Sequence, residues 1–241
     1  CPDEVYLAMD HELRHMYGLI FDLDGVIADT EGLNVAATGR VFKEELGIAH
    51  VTLKDFEAGL GRGAEAYVRA GAAAHGVELT DEQVETITRL RQEYFFEELS
   101  KRPLPPFPGV MKLVQDGMAA PDFRLAIATS GTEKKSRAVL ESAGIPYTQM
   151  TYINGNMVSN KKPDPELFLR AIEGIDVAAG RCVVIEDAPD GVAAARAAGA
   201  RCIGVTNSVD GERLAEADYV CDTLEDVDLD QLRTLVDGKA K

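Results

Sequence analysis

The sequence predicts an α/β protein in which a doubly wound parallel sheet carries a helical cap domain inserted after its first strand. Five short apolar runs alternate with segments of helical pattern, which is typical of a parallel sheet with helices on both faces. Residues 32–102 interrupt this alternation, because they contain no convincing strand. We therefore assign 16–31 and 103–241 to the core and 32–102 to the cap.

The strand candidates are continuous apolar runs rather than alternating ones, as expected for parallel strands that are buried on both faces. The first, Tyr17–Leu23, ends at the turn Asp24-Gly25. The others are Arg124–Thr129, Met150–Ile153, Cys182–Asp187 and Arg201–Thr206. Together with the helices between them, they predict a Rossmann-like core.

The helices of the core have recognisable first and last residues. Asp164 and Pro165 are suitable as the N-cap and the first residue of a helix that continues to Ile172. Gly144 and Gly199 stand where a left-handed residue commonly ends a helix. These signals fix the ends of three crossover helices.

The cap is predicted to be helical. Thr80 and Gln83 have the spacing of a capping box. The apolar side chains that follow recur at helical spacing, at Val84, Ile87, Leu90, Tyr94 and Leu99. Four prolines between residues 103 and 108 then stiffen the return to the core.

The composition excludes several classes of protein. With 46% hydrophobic and 27% charged residues, the 241-residue chain has enough apolar material for a core. No stretch approaches the roughly 20 apolar residues that a membrane span needs. Forty-one acidic and 25 basic residues give a net charge of −16, which argues against nucleic acid or an anionic membrane as a partner.

The cysteines and the first residues bear on the compartment. Cys182, Cys202 and Cys221 each lie in a short apolar run, and no zinc-like spacing is present. We expect buried free thiols in a reducing, cytoplasmic compartment. Residues 1–15 are acidic, and their apolar part is too short for a signal peptide, so we expect an extension outside the fold.

Polar side chains stand at or near the ends of the strand candidates, where ligands bind in open parallel sheets. They are Asp22 and Asp24, Thr129 and Ser130, Glu186 and Asp187, and Lys162 before the helix at Pro165. Taken singly, each has an ordinary alternative: a calcium loop or turn, a helix cap, a loop after a strand, or a solvated lysine. Their occurrence together at strand ends favours one shared site.

These residues suit the cleavage of a phosphate ester. The phosphoryl group repels a carboxylate nucleophile, and Mg²⁺ held by hard oxygen ligands offsets that repulsion. Asp22, Glu186 and Asp187 can supply the oxygens, and Asp22 can attack phosphorus to form an aspartyl-phosphate. The leaving alkoxide needs a proton, which Asp24 can donate from the same side of an extended chain. The other phosphoryl oxygens can be held by the Thr129 hydroxyl, the Ser130 amide and Lys162.

At these positions the sequence resembles the haloacid dehalogenase superfamily, in the branch of β-phosphoglucomutase and small phosphosugar phosphatases. The segment FDLDG resembles the first motif of that family, Thr129 the second and Lys162 the third. The segment Glu186–Gly199, EDAPDGVAAARAAG, resembles the fourth. The resemblance covers residues 17 to about 225, and the order of the motifs matches.

The resemblance implies a role for each motif residue. The catalytic set comprises Asp22 as nucleophile, Asp24 as acid and base, Thr129 and Lys162. The Mg²⁺ ion would be bound by Asp22, the carbonyl of Asp24 and Asp187, with Glu186 beside it. Substrate would contact Ser130 and Gly131.

The cap contains the segment GLGRG, Gly59–Gly63, in which glycines flank Arg62. It resembles the substrate loop of the family's cap, so Arg62 can bring a cation to the far end of a phosphosugar. An exposed arginine in a helix-capping turn is the equal alternative. Lys134 and Lys135 follow the second motif and could also face the substrate, although a helix surface is the favoured placement. Asn34 stands where a histidine is common in the family, which departs from the mutase pattern.

Taken together, the motifs predict a monomeric, Mg²⁺-dependent phosphatase that hydrolyses a small phosphosugar-like monoester. A β-phosphoglucomutase-like mutase is the alternative, because Arg62 can supply the second anion site that a bisphosphate requires. A dehalogenase is disfavoured, since halide leaves without a proton and Asp24 would have no role. An inactive binding protein is disfavoured because the acids and Lys162 are all retained.

Overall fold

The computed structural model describes residues 15–238, and a six-stranded parallel sheet lies at their centre. Its strands are β1 (Tyr17–Phe21), β2 (Phe123–Ala128), β3 (Thr151–Ile153), β4 (Cys182–Glu186), β5 (Arg201–Val205) and β6 (Tyr219–Cys221). Their order in the sheet is β3-β2-β1-β4-β5-β6. The predicted extension at residues 1–15 lies outside the described residues except for His15.

The five predicted strands are confirmed, and each observed bound lies within two residues of the predicted one. The sixth strand, β6, was not predicted. Its three residues are too few to show an apolar period, and Tyr219 is exposed at the edge of the sheet.

The strands that carry the candidate catalytic residues lie side by side. Phe21, at the end of β1, pairs with Ile127 of β2 and with Ile185 of β4. The N–H of Asp22 then donates to the carbonyl of Ile185 at 3.0 Å. Because these parallel strands are in register, the residues that follow them meet at one edge of the sheet. Every residue of β1 and β4 is buried, which makes this edge a rigid platform.

The cap residues form helices α1 (Glu31–Leu46), α2 (Ala64–Ala74) and α3 (Asp81–Lys101), with a short 3₁₀ segment at Leu53–Gly59. The capping box is present: the Thr80 N–H donates to Oε1 of Gln83 at 2.9 Å, and the Gln83 N–H donates to Oγ1 of Thr80 at 3.3 Å. The helices start and stop within one residue of the predicted limits of the cap, although the domain boundary itself stays a prediction.

The buried stripe of α3 differs from the prediction at two positions. Val84, Ile87 and Leu99 are buried as predicted, whereas Leu90 and Tyr94 are only half-buried. Arg91 and Phe95 are buried in their place. The spacing of the stripe was right, but an arginine was not expected to occupy it.

Five further helices pack on the core, namely α4 (Val110–Ala119), α5 (Glu133–Ser142), α6 (Glu166–Ile175), α7 (Pro189–Ala197) and α8 (Leu229–Asp237). Gly144 and Gly199 follow α5 and α7 with φ of 68° and 81°, as predicted. Helix α6 begins one residue later than predicted, so Pro165 occupies the cap position. The carboxylate of Asp164 still accepts from the N–H of Glu166, at 2.9 Å.

Two expectations from composition concern the cysteines and membrane spans. Cys182, Cys202 and Cys221 are buried and free, and burial raises the pKa of Cys182 to about 12. Cys1 lies outside the described residues. Over residues 15–238, no helix combines the length and the apolar character needed to cross a bilayer.

Candidate active site

A cavity of about 900 Å³, including space open to solvent, lies between the strand ends of the core and the cap. Its walls differ in origin. The core supplies Asp22, Asp24, Lys135, Lys162 and Asp187, among others. The cap supplies Glu31, Asn34, Tyr67, Thr88, Arg91 and Gln92, among others.

Lys162 connects two of the carboxylates at the floor of this cavity. Its Nζ lies 2.6 Å from Oδ1 of Asp22 and also donates to Oε1 of Glu186. All three side chains are nearly inaccessible to solvent, with exposures of 1%, 7% and 0%. Burial alone would lower the pKa of Lys162, but the charges of Asp22 and Glu186 raise it above its ordinary value. The lysine is therefore held as a buried cation.

The floor carboxylates are not fully neutralised by that one cation. Burial, reinforced by the charge of Glu186, raises the pKa of Asp22 to about 7, although Lys162 opposes the shift. Burial also raises the pKa of Asp187, and the charges of Glu186 and Asp22 add to this effect. The ligand oxygens of Asp22, Glu186 and Asp187 all lie within 4.8 Å of one another.

Two glycines make room for these acids. A Cβ on Gly191 would lie 1.9 Å from Cδ of Glu186, and a Cβ on Gly25 would lie 1.8 Å from Oδ2 of Asp187. Gly25 also has a φ of 80°, which favours glycine.

Both oxygens of Glu186 already accept hydrogen bonds. Oε1 accepts from Lys162, and Oε2 accepts from the N–H groups of Asp187 and Ala188 at 2.9 and 3.1 Å. Direct metal ligation by Glu186 stays a prediction.

Asp24 has surroundings that differ from those of Asp22. Its Oδ1 accepts from the Thr30 hydroxyl at 2.5 Å and from Nζ of Lys135 at 2.7 Å. Burial alone would raise the pKa of Asp24, but Lys135 and the Thr30 hydroxyl lower it below its ordinary value. The surroundings therefore raise the pKa of Asp22 and lower the pKa of Asp24, although the two residues are only two positions apart.

Lys135 was expected on a helix surface, and that expectation was wrong. Its side chain is only 16% exposed, and it lines the cavity. Lys134 is exposed, as expected. The start of α5 points one of these two lysines into the site, and neighbouring positions on a helix face different directions.

The end of β2 supplies the other predicted polar groups. The hydroxyl of Thr129 is buried and accepts from the N–H of Gly131 at 3.0 Å. The hydroxyl of Ser130 donates to the carbonyl of Gly61 in the cap at 2.8 Å. Ser130 and Gly131 line the cavity, and their contact with substrate stays a prediction.

Arg62 is turned away from the cavity. Its guanidinium pairs with Asp190 at the start of α7, and its side chain is 46% exposed. It lines a separate surface groove together with Pro189 and Arg213. The predicted contact of Arg62 with substrate is therefore not made in this conformation and stays a prediction.

A buried polar network in the cap was not predicted. Arg91 donates from Nε to the Thr38 hydroxyl at 2.9 Å and from Nη2 to Oδ1 of Asn34 at 3.0 Å. Asn34 donates to Glu31 at 3.1 Å, and the Tyr67 hydroxyl donates to the other oxygen of Glu31 at 3.2 Å. The available signal was the single arginine within the apolar stripe of α3. Asn34, where the family commonly has a histidine, serves as its acceptor.

The charges around the cavity suit a divalent cation. Five carboxylates, those of Asp22, Asp24, Glu31, Glu186 and Asp187, face three cations, those of Arg91, Lys135 and Lys162. By formal charge, the described residues thus leave an excess of two negative charges around the cavity, and the carboxylates at its floor are buried. Carboxylate oxygens without thiols or imidazoles are the ligands that Mg²⁺ prefers.

The sequence profile of the haloacid dehalogenase-like hydrolase family matches residues 19–205. The chain belongs to this family. It is similar to validoxylamine A 7'-phosphate phosphatase from Streptomyces hygroscopicus subsp. limoneus, with 31% identity over 218 residues, 86% of this chain and 94% of that protein. The crystal structure of CbbY from Rhodobacter sphaeroides in complex with phosphate is similar at a TM-score of 0.78 and 27% identity, over 90% of this chain and 99% of that chain.

One relative is much longer than the chain. Protein SUPPRESSOR OF QUENCHING 1, chloroplastic, from Arabidopsis thaliana is 34% identical over 205 residues, which are 83% of this chain. The match spans only 19% of that protein's length. Membership of the haloacid dehalogenase-like family confirms the resemblance drawn from the four motifs, and it confirms the predicted hydrolase class.

Proposed function

We propose that this haloacid dehalogenase-like hydrolase is a Mg²⁺-dependent phosphatase that hydrolyses a small phosphosugar-like monoester through an aspartyl-phosphate. One observation carries the proposal. Asp22 and Asp24 stand beside one another at a strand end, and each has its own lysine: Lys162 for Asp22 and Lys135 for Asp24. Such a pair gives one carboxylate for attack and a second for proton transfer.

The reaction has two halves. In the first, a carboxylate oxygen of Asp22 forms a bond to phosphorus while the bond from phosphorus to the ester oxygen breaks. Lys135 and Thr30 hold the pKa of Asp24 below its ordinary value before substrate binds, so Asp24 takes up a proton when the anionic ester binds beside it. It then gives that proton to the departing oxygen, and the alcohol leaves neutral. In the second, Asp24 takes a proton from water as the water attacks phosphorus, and inorganic phosphate leaves with Asp22 regenerated.

Lys162 keeps the nucleophile in place. Its ammonium binds both Asp22 and Glu186, and all three side chains are buried. These contacts hold the Asp22 carboxylate in one position. The same cation offsets part of the repulsion between Asp22 and an incoming phosphoryl group. The Thr129 hydroxyl and the N–H groups of Ser130 and Gly131, two residues that line the same cavity, can hold phosphoryl oxygens.

The residues that would hold Mg²⁺ are Asp22 and Asp187, with the carbonyl of Asp24 and with Glu186 beside them. The bound cation would supply positive charge against the anionic phosphoryl group. The excess of two negative charges around the cavity supports this assignment. The Glu186 hydrogen bonds support a role in fixing Lys162 and the loop that carries Asp187.

The substrate class is inferred from the cap wall of the cavity. This wall presents a buried hydroxyl, Thr88 Oγ1, that has no partner within residues 15–238, together with Glu31, Tyr67 and Arg91. An unpaired hydroxyl beside polar and charged side chains favours a ligand that carries hydroxyl or anionic groups. The similarity to a phosphatase of validoxylamine A 7'-phosphate supports the same class.

The test is phosphate release from a panel of glucose 6-phosphate, glucose 1-phosphate, ribose 5-phosphate, glycerol 3-phosphate and p-nitrophenyl phosphate, with Mg²⁺ present. Asp22→Asn should lower turnover at least about a thousandfold, a loss typical of removing a catalytic nucleophile. Turnover near that of the wild type in the folded variant would refute the proposal. A parallel assay for mutase activity, primed with a sugar bisphosphate, tests the alternative that was linked to Arg62.

A further inference from the structure

We propose that Lys135 is a positioning residue that aims the acid Asp24 at the leaving group. The inference rests on the phosphatase function proposed above and adds a residue outside the four motifs. Nζ of Lys135, on α5, lies 2.7 Å from Oδ1 of Asp24, in the loop that follows β1.

The two carboxylate oxygens of Asp24 have unequal surroundings. Oδ1 accepts from both Thr30 and Lys135, whereas Oδ2 accepts no hydrogen bond from residues 15–238. A Cβ placed on Gly131 would lie 3.7 Å from Oδ2 and 3.3 Å from the Thr129 hydroxyl. Oδ2 therefore faces the end of β2, beside the position proposed for the phosphoryl group. With Oδ1 anchored, Oδ2 is the oxygen that gives and takes the proton.

Lys135 is itself held in place by the cap. Its Nζ lies 4.9 Å from the ring centre of Phe95, a residue of α3 that is 2% exposed. This cation–π contact gives the ammonium a second partner besides the carboxylate. The lysine thus joins the core acid to a buried aromatic ring of the cap, and the Thr30 hydroxyl is the other group that restrains Asp24.

The leaving group provides the test. p-Nitrophenolate departs without a proton, whereas the alkoxide of a sugar phosphate requires one, so only the sugar ester depends on an aimed acid. The kcat/KM value reports the steps up to loss of the alcohol. Lys135→Met should lower kcat/KM by about tenfold or more for the panel sugar phosphate that the wild type cleaves fastest. The same variant should change kcat/KM for p-nitrophenyl phosphate by less than about threefold.

Three comparisons make the result decisive. Lys134→Met removes the neighbouring exposed lysine and should leave both esters unchanged. Lys135→Arg keeps the charge and should restore part of the sugar phosphate activity. A crystal structure of Lys135→Met should show that the Asp24 side chain has rotated about its Cα–Cβ bond.

Three outcomes overturn the inference alone. Equal losses on both esters would make Lys135 a phosphate ligand or a structural residue. No loss on either ester, or an unchanged Asp24 orientation in the variant crystal, would also refute it. Failure of the proposed function looks different, because the wild type would then release phosphate from no ester in the panel, and the inference would fall with it.

Discussion

The ammonium of Lys162 and the carboxylate of Asp22 lie 2.6 Å apart, and neither side chain is more than 7% exposed. A buried ion pair of this kind is a poor source of net stability, because desolvation offsets much of the attraction. The proposed phosphatase reaction, rather than stability, accounts for an ion pair at the end of β1. Under the proposed function, the lysine opposes the effect of burial, which would otherwise drive the nucleophile Asp22 further toward the neutral acid.

Replacing Lys162 with methionine should therefore damage both stability and activity. The substitution leaves Asp22, Glu186 and Asp187 buried together with no cation, and the loss of one partner from a buried pair costs about 3–5 kcal/mol. Urea denaturation in EDTA measures the loss, with Lys134→Met as the control for removing an exposed lysine. A free energy of unfolding within about 1 kcal/mol of the wild type would contradict the role given to Lys162.

The strand ends were predictable from the sequence because their signals are local. Asp22 and Glu186 follow unbroken apolar runs, and parallel pairing brings such ends to one edge whatever the rest of the chain does. The capping box of Thr80 and Gln83 is local in the same sense, since both partners lie within one helical turn. The family match over residues 19–205 then accounts for the order of the motifs.

The partners of a side chain could not be predicted in this way where they depend on how two helices, strands or loops pack together. Lys134 and Lys135 are chemically identical in the sequence, and only the orientation of α5 against β1 selects the second for Asp24. Arg91 interrupts an apolar stripe, so its burial depends on acceptors from α1 that the pattern does not show. The pairing of Arg62 with Asp190 likewise depends on the position of the cap loop over α7.

Magnesium should stabilise the protein as well as activate it. A ligand that binds the folded state alone adds about 2.7 kcal/mol at a hundred times its Kd. We expect EDTA to abolish phosphate release and Mg²⁺ to raise Tm, with both effects strongly reduced in Asp187→Asn. Asp190→Asn is the matched control, because Asp190 pairs with Arg62 away from the cavity. Full turnover in EDTA with negligible bound metal would be incompatible with the proposed cofactor.

The metal-free protein should become less stable as pH rises. Burial raises the pKa of Asp22 from 3.8 to about 7, so the folded state binds a proton more tightly than the unfolded chain does. That contribution is fully present below the unfolded pKa and is lost as pH rises toward 7. The raised pKa of Asp187 acts in the same direction. The lowered pKa of Asp24 has the opposite effect, but its window lies below its ordinary value of 3.8.

The measurement is Tm in EDTA at several values between about pH 5 and 7, where these shifts predict a steady fall. Asp22→Asn removes the titrating group and should flatten the profile. Excess Mg²⁺ should flatten it too, since a bound cation favours the ionised carboxylates. A wild-type profile that rises over this range, or one that Asp22→Asn leaves unchanged, would show that burial does not control the titration.

Arg91 and Arg62, two of the arginines of the cap, are expected to contribute differently to substrate binding. Arg91 lines the cavity, and its Nη1 makes no hydrogen bond within residues 15–238, which leaves one donor group available to a substrate. A hydrogen bond from a charged donor contributes roughly 1.5–3 kcal/mol, or about 10- to 150-fold in kcat/KM. Arg91→Met should cause a loss of that size on the preferred sugar phosphate. The loss on p-nitrophenyl phosphate should be much smaller, because its only distal polar group is a nitro group, which is a weak hydrogen-bond acceptor.

Arg62→Met is the matched variant, because Arg62 is half-exposed and pairs with Asp190 outside the cavity. Exposed pairs contribute only about 0–1 kcal/mol, so this substitution should change kcat/KM for either ester little. Circular dichroism and urea denaturation of both variants separate a lost contact from a lost fold. If Arg62→Met instead shows the selective loss and Arg91→Met does not, the cap must move so that Arg62 reaches the substrate. Arg62 would then supply the second anion site that a bisphosphate needs, and the mutase assay would become the decisive experiment.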